Sequence, residues 1–504
     1  MDMRVPVVRA LDWRLVCLVV ATLGIRLALP GQPIVENYVG RQIPTAMVAR
    51  NLDRGAGFFY PSLSTAPFPN YFVVEPPVYQ ALAVGVHRIV GVGLEAAGRG
   101  VSAVATGLAA VGLWGLVRRR QGRTAAVVAL VAFGAFPVTI RYGRAFQPDA
   151  LMLGGVLAGL ECADRAVRGA GRRWWALAWI ALAIGIAAKV TGAFVFVPLV
   201  VVVAAGRRRA ALALAAAALL PAACWYLWVP RLIELSGSRA AADNRTIWMA
   251  VLGLSALARP ETLRQIGRFL LIRAFSPLGV LLGTIGLVVG PAADRGGDVR
   301  AVRWDLWRVW SLAAMSMLAL LGAKLHHEYY WLIMAPAFAA GIGRLWGLAA
   351  SWRVLTILCL LACAYFARST WQTPEEWAGL EEAAAEIKEV VPSGVWLVAV
   401  EPLLYESDRV GCRLERTPSA AARAAAEWPG TAPRDRLGPE ELVEFYRTRG
   451  ARFVADLKGG ARDEDRDALH RAIRRRYKVL RDTPSVLIAE LKPSEGSVTG
   501  GEVE

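Results

Sequence analysis

The chain has 504 residues, 56% of them hydrophobic, and its 58 Lys and Arg against 41 Asp and Glu give a formal net charge of +17. A mean hydropathy of +0.41 excludes an ordinary soluble domain. The basic excess does not make a nucleic-acid binder: its arginines cluster beside apolar runs, where they orient insertion and attract anionic headgroups, instead of forming one contiguous basic face.

The runs Leu15–Leu29, Val101–Val117, Thr124–Ile140, Ala210–Val229 and Phe269–Val289 are too long and too apolar for ordinary core helices. In hydrocarbon a helix satisfies its own backbone polar groups, so these runs predict membrane spans. The first lacks a small-residue cleavage site and is expected to stay as a span. Gln42–Leu52 places Ile43, Ala46, Met47 and Leu52 at helical spacing beside Arg41, Arg50 and Asn51. Pro77–Val92 is apolar but carries His87 and Arg88. Both fit helices lying in the membrane interface. Arg118-Arg119-Arg120, Arg172-Arg173, Arg207-Arg208-Arg209, the Arg295/Arg300/Arg303 loop and Arg344/Arg353 then share one face if the amino terminus is cytoplasmic, which gives about eleven spans. The opposite, exterior face receives Gly31–Pro76, Arg141–Asp149, a turn around Lys189, Pro230–Gln265 and the Lys324–Glu328 turn.

The last span, Val354–Phe366, delivers the tail to the exterior face, and the texture changes from about residue 373. Helices are expected at Glu375–Val391, Pro439–Thr448 and Asp463–Arg475, and strands at Val395–Val400, Ala451–Leu457 and Ser485–Leu491. This alternation implies a small α/β layer. Of six cysteines only Cys412 lies in the tail, so no disulfide staples it, and no Cys/His spacing resembles structural zinc. No internal repeat is visible. The expected organisation is a polytopic α-helical domain over residues 1–370, a small α/β exterior domain over 371–492 and a disordered tail over 493–504.

Polar groups gather at the exterior edge of the spans. The first loop holds Glu36-Asn37-Tyr38-Val39-Gly40-Arg41-Gln42, Thr45-Ala46 and Ala49-Arg50-Asn51, and closes on Glu75-Pro76-Pro77-Val78-Tyr79-Gln80. Later come Arg141-Tyr142-Gly143-Arg144, Gln147-Pro148-Asp149, Lys189-Val190-Thr191-Gly192 and Lys324-Leu325-His326-His327-Glu328-Tyr329-Tyr330. In that order the motifs resemble the GT-C membrane glycosyltransferases, in particular the bacterial branch similar to protein O-mannosyltransferases and to the aminoarabinose and galacturonic-acid lipid A transferases. Two departures stand out. Glu36 is alone where that branch often has an Asp-Glu pair, and Glu75-Pro76-Pro77 replaces a Lys-Pro-Pro, removing a cation and adding a carboxylate.

The resemblance implies a periplasmic-face transferase of a bacterial inner membrane. It would take a sugar from a polyprenyl-phosphate donor held among membrane lipids and pass it to a glycan, lipid or protein acceptor. Glu36 and Glu75 are the base candidates, with Asp149 as a second acid. Arg41, Arg144, Lys189 and Lys324 are phosphate candidates, and Gln42, Tyr79, His326, His327, Tyr329 and Tyr330 complete the expected binding wall. No organic cofactor is implied. A divalent metal at His326-His327-Glu328 would need Glu75 or Asp149, because one turn cannot supply a complete shell. A structural reading stands beside each assignment: Glu36 as a helix cap, Glu75 and Asp149 as helix-start acids, Lys189 as a snorkelling side chain, the tyrosines as an interfacial belt. Two other classes remain, a sugar-lipid transporter and a catalytically silent scaffold. Transporters place ionisable groups at midspan and break helices in matched halves.

Overall fold

A computed structural model describes residues 12–36, 38–242, 257–289, 305–325, 327–460 and 464–493. The Arg295/Arg300/Arg303 loop, His326 and the tail from residue 494 lie outside them. The chain forms two compact units, one of Met1–Pro30, Val90–Trp225 and Ala250–Thr370, the other of Gly31–Ile89, Tyr226–Met249 and Trp371–Glu504.

The first unit is helical. Its segments include Trp13–Leu27, Leu94–Gln121, Arg123–Ala135, Asp149–Val167, Arg172–Ala188, Leu306–Leu320, Ala335–Leu345 and Ala350–Ala367. Proline and local backbone breaks cut several of the expected apolar runs. Thr124–Ile140 divides into Arg123–Ala135 and Pro137–Tyr142, because Pro137 brings no N–H and opens a new helix at its first position. Phe269–Val289 divides at Ser276, whose φ of 66° turns the chain, and Pro260–Ala274 meets Pro277–Val288 at 95°. Among the described residues three helices are continuous and apolar enough to cross a membrane, Leu94–Gln121, Ala205–Leu235 and Ala350–Trp377, or four if the bent pair is one span. Fifteen residues, as in Trp13–Leu27, rise roughly 22 Å against a hydrocarbon core of about 30 Å. The expected number of spans is therefore not a count of continuous helices.

Small residues let these helices approach closely. A Cβ at Gly155 would lie 2.6 Å from the Gly185 Cα, and one at Gly286 would lie 2.1 Å from the Gly341 carbonyl oxygen. The arginine cluster Arg118–Arg120 belongs to the last turn of Leu94–Gln121 and not to a loop. There Arg119 bonds Glu161 and Asp164, and Arg120 bonds Asp164 at 2.6 Å, so the cluster pairs charges with the helix Asp149–Val167.

The second unit is built on a mixed sheet. Its strands are β1 (Leu397–Ala399), β2 (Gly411–Arg413), β3 (Phe453–Leu457), β4 (Tyr477–Asp482) and β5 (Val486–Pro493), in the order β2-β1-β3-β5-β4. β1 runs parallel to β2 and β3, while β5 is antiparallel to β3 and β4. Val398, Cys412, Val454, Leu487 and Ala489 form its buried centre with Trp428, Leu442 and Tyr446 of the covering segments. The three expected strands are present as β1, β3 and β5. β2 is only three residues long, too short to show a period, and β4 reads Tyr-Lys-Val-Leu-Arg-Asp with a largely exposed surface, the polar profile of an edge strand. The first loop adds to the opposite edge: Thr65 bridges Gly411 in parallel, with Gly411 N–H donating to Ser64 O at 3.1 Å and Ala66 N–H to Gly411 O at 2.7 Å. Helices form over both stretches expected to lie in the interface, as Val39–Asp53 and Val78–Val90.

Candidate active site

The predicted residues fall into two polar clusters, one in each unit. In the helical unit, Pro148 and Asp149 open Asp149–Val167, and the carboxylate is 1% exposed. It accepts from Lys189 Nζ at 2.6 Å and Gln147 Nε2 at 3.0 Å. Lys189 is 2% exposed and follows the end of Arg172–Ala188, where its extended backbone (φ −160°, ψ 116°) breaks the helix and turns the side chain inward. Its ammonium lies 4.1 and 4.4 Å from the ring centres of Tyr329 and Tyr330, which places a charge on two aromatic faces. His327 stacks on Tyr329 at 5.3 Å with the rings 9° apart. The snorkelling reading of Lys189 is thus replaced by a buried pair. The tyrosines are buried and belong to the cluster. Lys324 is half-buried in the short turn Gly322–Lys324.

Glu328 completes this side. It accepts from Arg273 Nε at 2.5 Å and Nη2 at 3.1 Å, and from the Tyr142 hydroxyl at 2.7 Å. Sequence reasoning did not single out Arg273, because it sits inside an apolar run that looks like one span. Only the break at Ser276 gives it a reason to be there.

Arg144 and Arg141 serve helix ends. Arg144 donates to Ala28 and Leu29 carbonyls at 3.0 Å each and to Thr370 O at 3.2 Å. Arg141 donates to Arg273 O and Phe366 O at 2.7 Å each. These are the unsatisfied last-turn carbonyls that every helix leaves.

In the second unit, Val39–Asp53 buries Arg41, Gln42 and the following residues up to Ala49. Arg41 bonds the Glu75 carboxylate, both nearly buried, and its guanidinium lies 5.1 Å from the Phe72 ring centre. Glu36 and Tyr79 are buried in the same unit. The helix-start reading of Glu75 is insufficient, since the carboxylate has a specific cation. Toward the other end of this helix Arg50 donates to Tyr405 O at 2.5 Å and to Asp408 at 3.2 Å, and Arg54 donates to Asp408 at 2.7 Å. Asp408 therefore receives two arginines from this end of the helix.

Two carboxylates thus stand buried against cations, beside neutral hydrogen-bonding groups and aromatic faces. Such a set suits an anion and a hydroxyl, not a soft metal. Among the described residues no three His, Cys, Asp or Glu side chains gather as a metal-binding group.

A family model described as dolichyl-phosphate-mannose-protein mannosyltransferase matches residues 74–233. No curated protein matches the chain in sequence. Among solved structures, ArnT from Cupriavidus metallidurans bound to undecaprenyl phosphate superposes with a TM-score of 0.60 at 16% identity, covering 95% of this chain and 98% of that one. The Archaeoglobus fulgidus oligosaccharyltransferase in complex with zinc and sulfate gives 0.57 at 13% identity over 92% of this chain and 71% of that one. The arabinofuranosyltransferase AftD from Mycobacteria gives 0.54 at 15% identity over 96% of this chain, which spans 40% of that larger protein. The chain has the fold of these GT-C glycosyltransferases, and in residues 74–233 it carries the sequence pattern of one family among them.

Proposed function

We propose that the chain is a membrane glycosyltransferase that moves a sugar from a polyprenyl-phosphate donor to an acceptor hydroxyl at the exterior membrane face. The observation that carries this reading is the pair of buried carboxylate–cation contacts, Arg41–Glu75 and Lys189–Asp149, in a chain with the GT-C fold. The similar structures support the donor class: undecaprenyl phosphate is bound in ArnT, and dolichol phosphate with an inhibitory peptide in the Archaeoglobus protein AglB.

The chemistry needs few parts. A carboxylate, Glu36 or Glu75, accepts the proton of the acceptor hydroxyl as its oxygen attacks the anomeric carbon. The carbon–oxygen bond to phosphate breaks on the opposite side, so one displacement inverts the anomeric centre. The phosphate departs as an anion and needs positive charge to hold it, which Arg41 offers in the second unit and Lys189 and Lys324 offer in the first. Asp149 keeps Lys189 oriented beside His327, Tyr329 and Tyr330 in the first unit, and Gln42 and Tyr79 belong with Arg41 to the second. In this reading Arg144 is a positioning residue, since its donors secure helix ends.

A competing transporter would break helices in matched halves. The bent pair at Ser276 is unmatched by a second pair of the same kind among the described residues, which favours transfer over transport. The test is a radiolabelled polyprenyl-phosphate sugar assay in membranes. Label should pass to an acceptor, and Glu36→Gln or Glu75→Gln should lower turnover by about 10²–10⁴-fold, the range of general-base help, with donor binding retained. Movement of label across the membrane without transfer, or full turnover in both variants, overturns the reading.

A further inference from the structure

In the second unit an open groove of about 570 Å³ lies beside the first-loop hairpin, lined by Asn51, Arg54, Ser62, Ser64, Phe68 and Asn70 among others. It stands apart from Arg41 and Glu75. Asn51 is ten residues beyond Arg41 on the helix Val39–Asp53, roughly 15 Å along its axis.

The chemistry of its lining is specific. Asn70 is 4% exposed and donates through Nδ2 to Thr65 O at 2.9 Å, while its Oδ1 has no hydrogen-bond partner among the described residues. An acceptor left unsatisfied in this way costs about 1–3 kcal/mol, so a ligand donor that reaches it is favoured. Asn51 Nδ2 donates to Ser62 O at 2.8 Å, but Asn51 and Ser64 meet only at 3.5 Å, the outer limit of a hydrogen bond, so the amide oxygen and the Ser64 hydroxyl keep capacity. The Arg54 guanidinium, among the described residues the one charged side chain in the lining, donates to Asp408 at 2.7 Å, a carboxylate that Arg50 shares at 3.2 Å, so it already has a counter-ion. Phe68, 37% exposed and edge-on to Trp396 at 5.6 Å, supplies an apolar face.

Amides, hydroxyls and one aromatic face, with the single lining cation already paired, match a polyhydroxylated ligand. An extended peptide would instead seek free backbone groups, and these are used. Leu63 N–H donates to Asn70 O and Phe72 N–H to Pro61 O within the hairpin, and the outer side pairs with Gly411.

We propose that this groove is a distal acceptor subsite that holds a neutral saccharide chain whose growing end lies at the carboxylates, so that the preferred acceptor is an oligosaccharide. The inference rests on the glycosyltransferase reading for what happens at the chain's end, but saccharide binding in the groove is measurable without transfer. The probes are neutral disaccharides and hexasaccharides of mannose, glucose or arabinose, and a serine-rich hexapeptide, each titrated onto the full-length protein in nanodiscs and followed by saturation-transfer NMR. A hexasaccharide of at least one sugar should bind at least tenfold more tightly than its disaccharide. Ser64→Trp, which fills the groove, should abolish that advantage, and Asn70→Ala should weaken hexasaccharide binding about tenfold, the loss of one buried hydrogen bond. Arg54→Met, at an exposed side chain, gives a milder change for the case in which Ser64→Trp unfolds, and thermal unfolding identifies that case. Equal binding of short and long saccharides, unaltered binding in Asn70→Ala and Arg54→Met, or preferential binding of the peptide overturns the proposal. If hexasaccharides bind in the groove while no labelled sugar is transferred, the proposed function fails and the subsite stands.

Discussion

Lys189 and Asp149 stand forty positions apart in the chain and meet at 2.6 Å with almost no exposure. Two charges removed from water are stabilising only as a pair, and losing one partner typically costs about 3–5 kcal/mol because the other remains buried and uncompensated. Lys189→Met alone should therefore lower the unfolding temperature clearly, while Lys189→Met combined with Asp149→Leu should recover much of it. Thermal unfolding of the purified variants decides. Equal unfolding temperatures for the wild type and the single variant would remove the pair from the structural account. A transfer assay on the stable double variant then reads what the charges do in the reaction, separated from what they do for the fold. At this scale the sequence was informative about which residues are polar at the edge of the spans, and uninformative about their partners. The motif Arg141-Tyr142-Gly143-Arg144 looks the same whether its arginines face a phosphate or a helix end. Both uses require a guanidinium beside a loop, and only coordinates reveal the carbonyls of Ala28, Leu29 and Phe366.

The elements of the α/β layer were legible where a period could develop. β3, β5 and the helices Pro439–Arg447 and Glu464–Arg476 lie within a residue or two of their expected limits, while the helix Glu401–Glu406 and the strand β2 are too short to announce themselves. One interaction gives this layer a measurable pH response. Asp456 on β3 is fully buried and accepts from Arg416 Nη2 at 2.7 Å, and its other oxygen lies 2.9 Å from His470 Nε2 on Glu464–Arg476. Burial pushes the Asp456 carboxyl up, but the His470 hydrogen bond and the Arg416 charge outweigh it and hold the group below the usual 3.8. A carboxylate depressed in the folded state adds stability that is fully present above its unfolded value and is lost as the pH falls through the folded one. Hydrogen exchange at residues 453–457 and 464–476 of the full-length protein should stay constant between about pH 7 and pH 5, after correction for intrinsic rates, and accelerate below about pH 4. Asp456→Asn should exchange faster at neutral pH and show a weaker acid response. An identical acid profile in that variant would assign the loss to other carboxylates.

For the whole molecule, the arginine bias sets one testable orientation. The class of the fold was legible from apolar runs alternating with basic clusters, because hydrocarbon leaves few alternatives to helices. The number of crossings was not, because Pro137 and Ser276 break runs that composition alone presents as continuous. The deciding segment is Val78–Val90. At thirteen residues it rises roughly 20 Å, short of the hydrocarbon core, and Arg88 near its end donates to Asp53 at 2.7 Å, which suits a helix lying in the interface. If it does not cross, Gly122 is cytoplasmic and residues after about 370 are exterior. Reporter fusions at Gly122 and after Pro493 should then report the cytoplasm and the exterior, in that order. The reverse assignment, with Gly122 exterior and the end of the chain cytoplasmic, would make Val78–Val90 a span, and the first-loop residues Glu36, Arg41 and Glu75 would lie across the membrane from Arg141–Asp149. A displacement that needs a carboxylate and phosphate-holding cations on one side of the membrane could not then use both groups. The topology measurement therefore tests the proposed chemistry as directly as a kinetic one.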